Sequence, residues 1–101
     1  MIKHIVMWQL KETANGKTRE ENKVTLKKAL EDLIPKILVV VKLEVGLKCA
    51  ESPANCDDVV LVSEFKTWAD LDTYATHPEH LKVVEFVKTV VEKRSAVDYV
   101  F

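Results

Sequence analysis

The chain of 101 residues contains only three histidines, His4, His77 and His80. Two of them share the segment Tyr74-Ala75-Thr76-His77-Pro78-Glu79-His80. Imidazole titrates near neutrality and serves as a general acid or base. The phenol of Tyr74 can donate a hydrogen bond to an oxygen that gains negative charge. Proton transfer, with His80 as acceptor and Tyr74 as donor, is therefore the chemistry these side chains could support. Each also has a structural use. His77 stands before Pro78 and can cap a helix. His80 falls in a first helical turn, where the helix dipole disfavours positive charge; a neutral imidazole suits a base and a buried structural side chain alike. Tyr74 lies on the apolar side of its helix, as core tyrosines do. A metal is not expected: His77 and His80 could chelate at their spacing, but no third ligand is evident. Asp57 and Asp58 read as the end of a loop, and Ser63 and Ser95 have no nucleophile context.

The elements that would position these residues follow the order β-α-β-β-α-β. Met1–Leu10, rich in β-branched and aromatic residues, predicts a strand that places His4 on the same side as Ile2, Val6 and Trp8. A polar loop follows, with Asn15-Gly16 as its turn. Thr18 and Glu21 form a capping-box pattern and open a helix to about Ile34, where Pro35 ends it. Leu26, Ala29, Leu30 and Leu33 share its apolar face, with Lys23, Lys27 and Glu31 elsewhere. Ile37–Leu47 predicts the second strand and Val59–Phe65 the third. Thr67 and Asp70 open a short helix to about Thr76. A break at His77 precedes a further helix from about Glu79 to Lys93. Ala96–Phe101 predicts the last strand. The expected packing is α+β and ferredoxin-like: one four-stranded sheet in the order 4-1-3-2, with the helices on one face.

Composition narrows the function classes. Fifteen basic and sixteen acidic residues leave a net charge of −1 with no basic block, so no nucleic-acid partner is expected. Gly16 and Gly46 are the only glycines, which excludes the glycine-rich dinucleotide and phosphate loops, and no cofactor is expected. The longest apolar run, Ile37–Val41, is far too short to cross a bilayer, and no membrane partner is expected. The opening residues lack the layout of a signal segment, so the expectation is a cytoplasmic protein with Cys49 and Cys56 as free thiols. Length fits a single domain over residues 1–101.

The sheet presents a further problem. Its helix-free face should be polar in a monomer. Instead Ile5 and Met7, Leu38 and Val40, and Val60 and Val62 alternate with the opposite set on their strands. Such a face exposes more apolar area than a monomer ordinarily tolerates, and a second copy packed sheet to sheet would cover it.

Four stretches resemble the stress-responsive A/B barrel (Dabb) family: Met1-Ile2-Lys3-His4-Ile5-Val6, Ser63-Glu64-Phe65, Tyr74-x-x-His77-Pro78-x-His80 and Val97-Asp98-Tyr99. The resemblance implies a ferredoxin-like fold and a homodimer whose sheets form a barrel, within the dimeric α+β barrel superfamily. Functionally it points several ways. Some plant members are stress proteins without an accepted enzymatic role, whereas one is a polyketide cyclase. By similarity to that cyclase, His80 would be the catalytic base, Tyr74 its assistant, and His4 would line the pocket beside Val6 and Trp8. A further pocket histidine of the cyclase falls at Val59, and its bulky pocket aromatics fall at Val24 and Val91, so the substrate should differ. The leading reading is a homodimer that binds a small molecule between sheet and helices, with His/Tyr acid–base chemistry. The alternatives are a non-catalytic stress-response or structural module and a monooxygenase-like member of the superfamily.

Overall fold

Strand β1 (Ile2–Leu10) is the organising element of the computed structural model, which describes residues 1–101. It lies inside the sheet, antiparallel to β5 (Val59–Phe65) on one side and to β6 (Val91–Val100) on the other. Strand β4 (Lys42–Leu47) pairs antiparallel with β5, giving the order β4-β5-β1-β6. This is the expected ferredoxin-like arrangement, with helices α1 (Arg19–Glu31), α2 (Trp68–Thr76) and α3 (Pro78–Val90) over one face. No helix is long and apolar enough to cross a membrane.

Local sequence explains most of the element starts. Asn15 and Gly16 both take positive φ, 57° and 73°, and so close a two-residue turn between the short strands β2 (Thr13–Ala14) and β3 (Lys17–Thr18). Thr18 caps α1 reciprocally: its hydroxyl accepts from the Glu21 N–H at 3.2 Å, and its own N–H donates to Glu21 Oε1 at 3.0 Å. Thr67 caps α2 by accepting from the Asp70 N–H at 3.1 Å. His77 then separates α2 from α3, its Nδ1 accepting from the Glu79 N–H at 3.1 Å, with Pro78 at the first helical position.

Four boundaries differ from the sequence expectation. Helix α1 ends at Glu31 rather than Ile34. Pro35 disfavours helical geometry at Ile34, and the chain tightens into turns after Asp32. Ile37 N–H then reaches Leu33 O at 3.0 Å, which drops the Ile37 side chain into the core. The second strand accordingly starts at Lys42 rather than Ile37, and Leu38 is left 90 % exposed in the turn. At the other end, α3 stops at Val90 rather than Lys93, and β6 begins at once with Val91 rather than at Ala96. Pairing along all of β1 outweighs helical continuation there, and a register shift beside Gln9 and Leu10 absorbs the extra residue.

The core lies between the sheet and the helices. Ile2, Val6, Trp8 and Leu10 of β1 and Val59, Leu61 and Phe65 of β5 meet Leu26, Leu30, Tyr74, Val83 and Val90. Ile37 and Leu33 close one end. Lys23, expected off the apolar face of α1, is nonetheless buried. It is only 4 % exposed, with its stem against the core and its Nζ donating to Lys48 O at 2.7 Å. Asp58 is also buried, accepting from the Leu10 N–H at 2.8 Å, so it clamps the end of β1 to the start of β5.

Cross-strand register fixes the helix-free face. Ile5 stands between Val62 and Val97, and Met7 between Val60 and Ser95. Val97 is 52 % exposed, and Met7 and Tyr99 are also exposed. Of the residues expected on this face, Leu38 and Val40 lie outside the strands.

Candidate functional site

A cavity of about 310 Å³ opens between the covered face of the sheet and helices α2 and α3. Strand alternation sends His4, Val6 and Trp8 of β1 toward it, while Tyr74 and Ala75 come from α2 and His80 from α3. Leu30, Leu61, Val83, Val84, Val87 and Val91 supply an apolar lining, and Lys88 and Arg94 are the cations on its wall. A larger hollow of about 380 Å³ lies beside Met7, Gly46 and Val60 on the other face, open to solvent and without a histidine or tyrosine. The histidines and Tyr74 therefore gather on the smaller, more enclosed cavity.

Tyr74 is central to its arrangement. It is 1 % exposed, and its ring lies 5.2 Å from Phe65, 4.5 Å from His80 and 6.3 Å from His4, centroid to centroid. Its hydroxyl is buried without a hydrogen-bond partner, and so is the indole Nε1 of Trp8. Two unsatisfied donors on the lining of one cavity are costly to the fold unless a ligand or water meets them. Burial pushes the Tyr74 phenol well above its ordinary value of 10.0, so it remains a proton-bearing donor at physiological pH.

His80 is set up differently. Its Nδ1 lies 2.9 Å from Ala75 O, a carbonyl that can only accept. The proton therefore sits on Nδ1, and Nε2 is left as the acceptor. Burial lowers the imidazole from its ordinary 6.5; the Ala75 contact opposes this, while His4, Arg94 and His77 add to the lowering. At neutral pH His80 is thus an uncharged base. His4 Nδ1 is held by the Asp98 carboxylate, the partner directly across the β1–β6 ladder. Ser63, fully buried, donates its hydroxyl to His4 O at 3.1 Å and steadies the strand there.

Of the residues named from sequence, His4, Val6, Trp8, Tyr74, His80 and Val91 come together on this cavity. Val59 does not: it is buried in the core, paired with Trp8 and Leu47. Val24 does not either, being 62 % exposed on the side of α1 away from the buried Asn22, Lys23, Leu26 and Leu30. Sequence reasoning passed over Arg94 and Asp98 as site residues. Their even spacing with Ala96 could have placed them on the covered side, but only with β6 begun at Val91.

The family model of the stress responsive A/B barrel domain (Dabb) matches residues 2–101. Among solved structures, a dimeric protein of unknown function with a ferredoxin-like fold from Bacteroides fragilis is similar at 37 % identity and a TM-score of 0.84, covering 99 % of this chain and 95 % of that one. A Dabb family protein from Mesorhizobium loti, also with a ferredoxin-like fold, is similar at 25 % identity and a TM-score of 0.76, with coverages of 99 % and 95 %. A hydroxynitrile lyase from Passiflora edulis shares the fold at 18 % identity and a TM-score of 0.78, with coverages of 99 % and 92 %. None of the curated proteins matches the sequence.

Proposed function

The chain belongs to the stress responsive A/B barrel (Dabb) family, and from that premise we propose that it is a homodimeric small-molecule-binding protein whose cavity catalyses proton transfer next to a carbonyl group. The observation that carries this reading is the adjacency of His80 and Tyr74 on the wall of one apolar cavity, rings 4.5 Å apart, a neutral base with Nε2 free beside a buried hydroxyl with no partner. Enolisation needs that pair. His80 Nε2 takes a proton from the carbon next to the carbonyl, and the electron pair of the broken C–H bond moves onto the carbonyl oxygen. Tyr74 O–H donates to that oxygen as it becomes an enolate. The enolate carbon then attacks a second carbonyl carbon of the same substrate, forming a C–C bond, and the new alkoxide takes the proton back from His80. His4, steadied by Asp98, is a second imidazole on the same wall, its ring 6.3 Å from that of Tyr74.

Dimerisation through the helix-free face completes the reading. Ile5, Met7, Val60, Val62 and Val97 form an apolar patch on that face, and solved relatives of this fold are dimeric. The exposed thiols Cys49 and Cys56 fit a reducing cytoplasm.

The test is hydrogen–deuterium exchange of a neutral ketone. 4-Phenyl-2-butanone in D2O, followed by proton NMR, should lose its C1 and C3 protons faster with the protein than with buffer. His80→Gln should slow the catalysed rate by about 100-fold or more. Exchange at the buffer rate with the folded wild-type protein would refute the catalytic reading and favour the non-catalytic module.

A further inference from the structure

The cavity wall carries a charge pattern that acid–base chemistry does not require. Lys88 and Arg94 are its permanent cations, and no aspartate or glutamate lines it. Arg94 stands directly opposite Trp8 in the β1–β6 register, on the covered side of the sheet. The chain's other arginine, Arg19, is engaged: its Nε donates to Leu10 O at 3.1 Å and lies 3.9 Å from Asp58 Oδ2. Arg94 has neither an ion pair nor a side-chain hydrogen bond. Of the carboxylates on its own strand, Glu92 at the bulge makes no ion pair with it, and Asp98 is taken by His4 and sits about 13 Å further along at ordinary strand rise. Lys88 pairs with Glu85 at 3.2 Å, but on the exposed outer surface of α3, where such a pair holds weakly.

A census of the cavity's polar atoms points the same way. Trp8 Nε1–H and Tyr74 O–H are unsatisfied donors, and the Arg94 guanidinium adds a fork of N–H donors. Among the side chains that line the cavity, His80 Nε2 is the acceptor left free. A complementary ligand is apolar in its body, rich in acceptor oxygens and negatively charged at the Arg94 side. We infer that the ligand of this cavity is an enolisable carbonyl compound bearing a carboxylate, which Arg94 grips with its guanidinium while Lys88 adds positive potential beside it. The planar fork of a guanidinium matches a carboxylate in bidentate fashion. This inference rests on the acid–base reading of the same cavity and names its substrate class.

The probe is 4-phenyl-2-oxobutanoate set against its methyl ester, which keeps the aromatic body and the ketone and removes only the charge. Affinities come from NMR titration of wild type, Arg94→Gln and Arg94→Lys, with near-UV circular dichroism reporting that each is folded. The wild type should bind the acid about tenfold more tightly than the ester, the effect of one charge-assisted contact in a half-open site. Arg94→Gln should erase that preference, and Arg94→Lys should keep part of it. Equal affinity of the wild type for acid and ester would overturn the carboxylate assignment, while exchange of the neutral ketone would leave the acid–base reading standing. A preference that survives Arg94→Gln would overturn the role of Arg94. Binding of neither compound, with no ketone exchange, would bring down both.

Discussion

Replacing Tyr74 by Phe should make the protein more stable and less able to do its chemistry. The change removes one oxygen and nothing else. The ring contacts with Phe65 and His80, at 5.2 and 4.5 Å, remain available to phenylalanine. The hydroxyl is buried and without a partner, so it gives up water on folding and gains nothing in return. Such a group costs roughly 1–3 kcal/mol, less where water enters the adjoining cavity. Removing one buried oxygen introduces no strain and leaves a void of about one atom, which offsets only part of the gain. We expect a gain near the lower end, about 1 kcal/mol, or a rise in Tm of about 4–8 °C for a domain of this size. Thermal unfolding by far-UV circular dichroism at fixed protomer concentration measures it, because a dimer's Tm depends on concentration. Exchange of the ketone should fall about 100-fold in the same variant, as for the loss of one oxyanion donor. A Tm lowered by about 4 °C or more would show that the hydroxyl has a stabilising partner in the folded protein. Tyr74 would then not be a free donor.

Because burial lowers His80 below its ordinary 6.5, the unfolded chain binds this proton more readily than the folded one. Stability should therefore be full above pH 6.5 and decline as pH falls through the folded value below it, and ketone exchange should decline over the same window; a decline confined to pH above 6.5 would contradict the assignment. Light scattering should report about twice 11.5 kDa for the wild type and a shift toward the monomer for Met7→Glu, which sets a charge within the apolar patch; a dimer unmoved by it would place the interface elsewhere. Asp58→Ala should cost roughly 2–3 kcal/mol in urea unfolding, because it orphans the buried Leu10 N–H, and Asp58→Asn, which keeps an acceptor, should cost less.

What could be read directly from the residues was local. Thr18 with Glu21, Asn15 with Gly16, and His77 with Pro78 each specify their turn or cap by chemistry within a few residues, and each forms as expected. The apolar alternation of β1 and β5 was equally legible, because a strand's two faces can be counted off without knowing its neighbours. Ile37 and Val91 were not. The first belongs to a helical turn that buries it, and the second to a strand whose extent is set by pairing with distant Leu10. That misplaced boundary hid Arg94, which falls in a connecting segment unless β6 starts early. The tautomer of His80 was hidden too, since it depends on Ala75 O across the joint between two helices. Val24 shows the converse, a position carried over by similarity whose side chain the turn of α1 directs outward.

The placing of β1 has a consequence for how the molecule is made. This strand leaves the ribosome before both of its partners, and Ile2 must find Val100 and Trp8 must find Val59 before its backbone is paired on both edges. Until then a ribbon bearing Ile2, Ile5, Val6, Met7, Trp8 and Leu10 has no lasting shelter. Pairings so distant in sequence form slowly, on the scale of milliseconds to seconds rather than microseconds. The nascent chain therefore passes through a long interval in which its central strand is the most adhesive segment it has, and shielding by a chaperone matters most there.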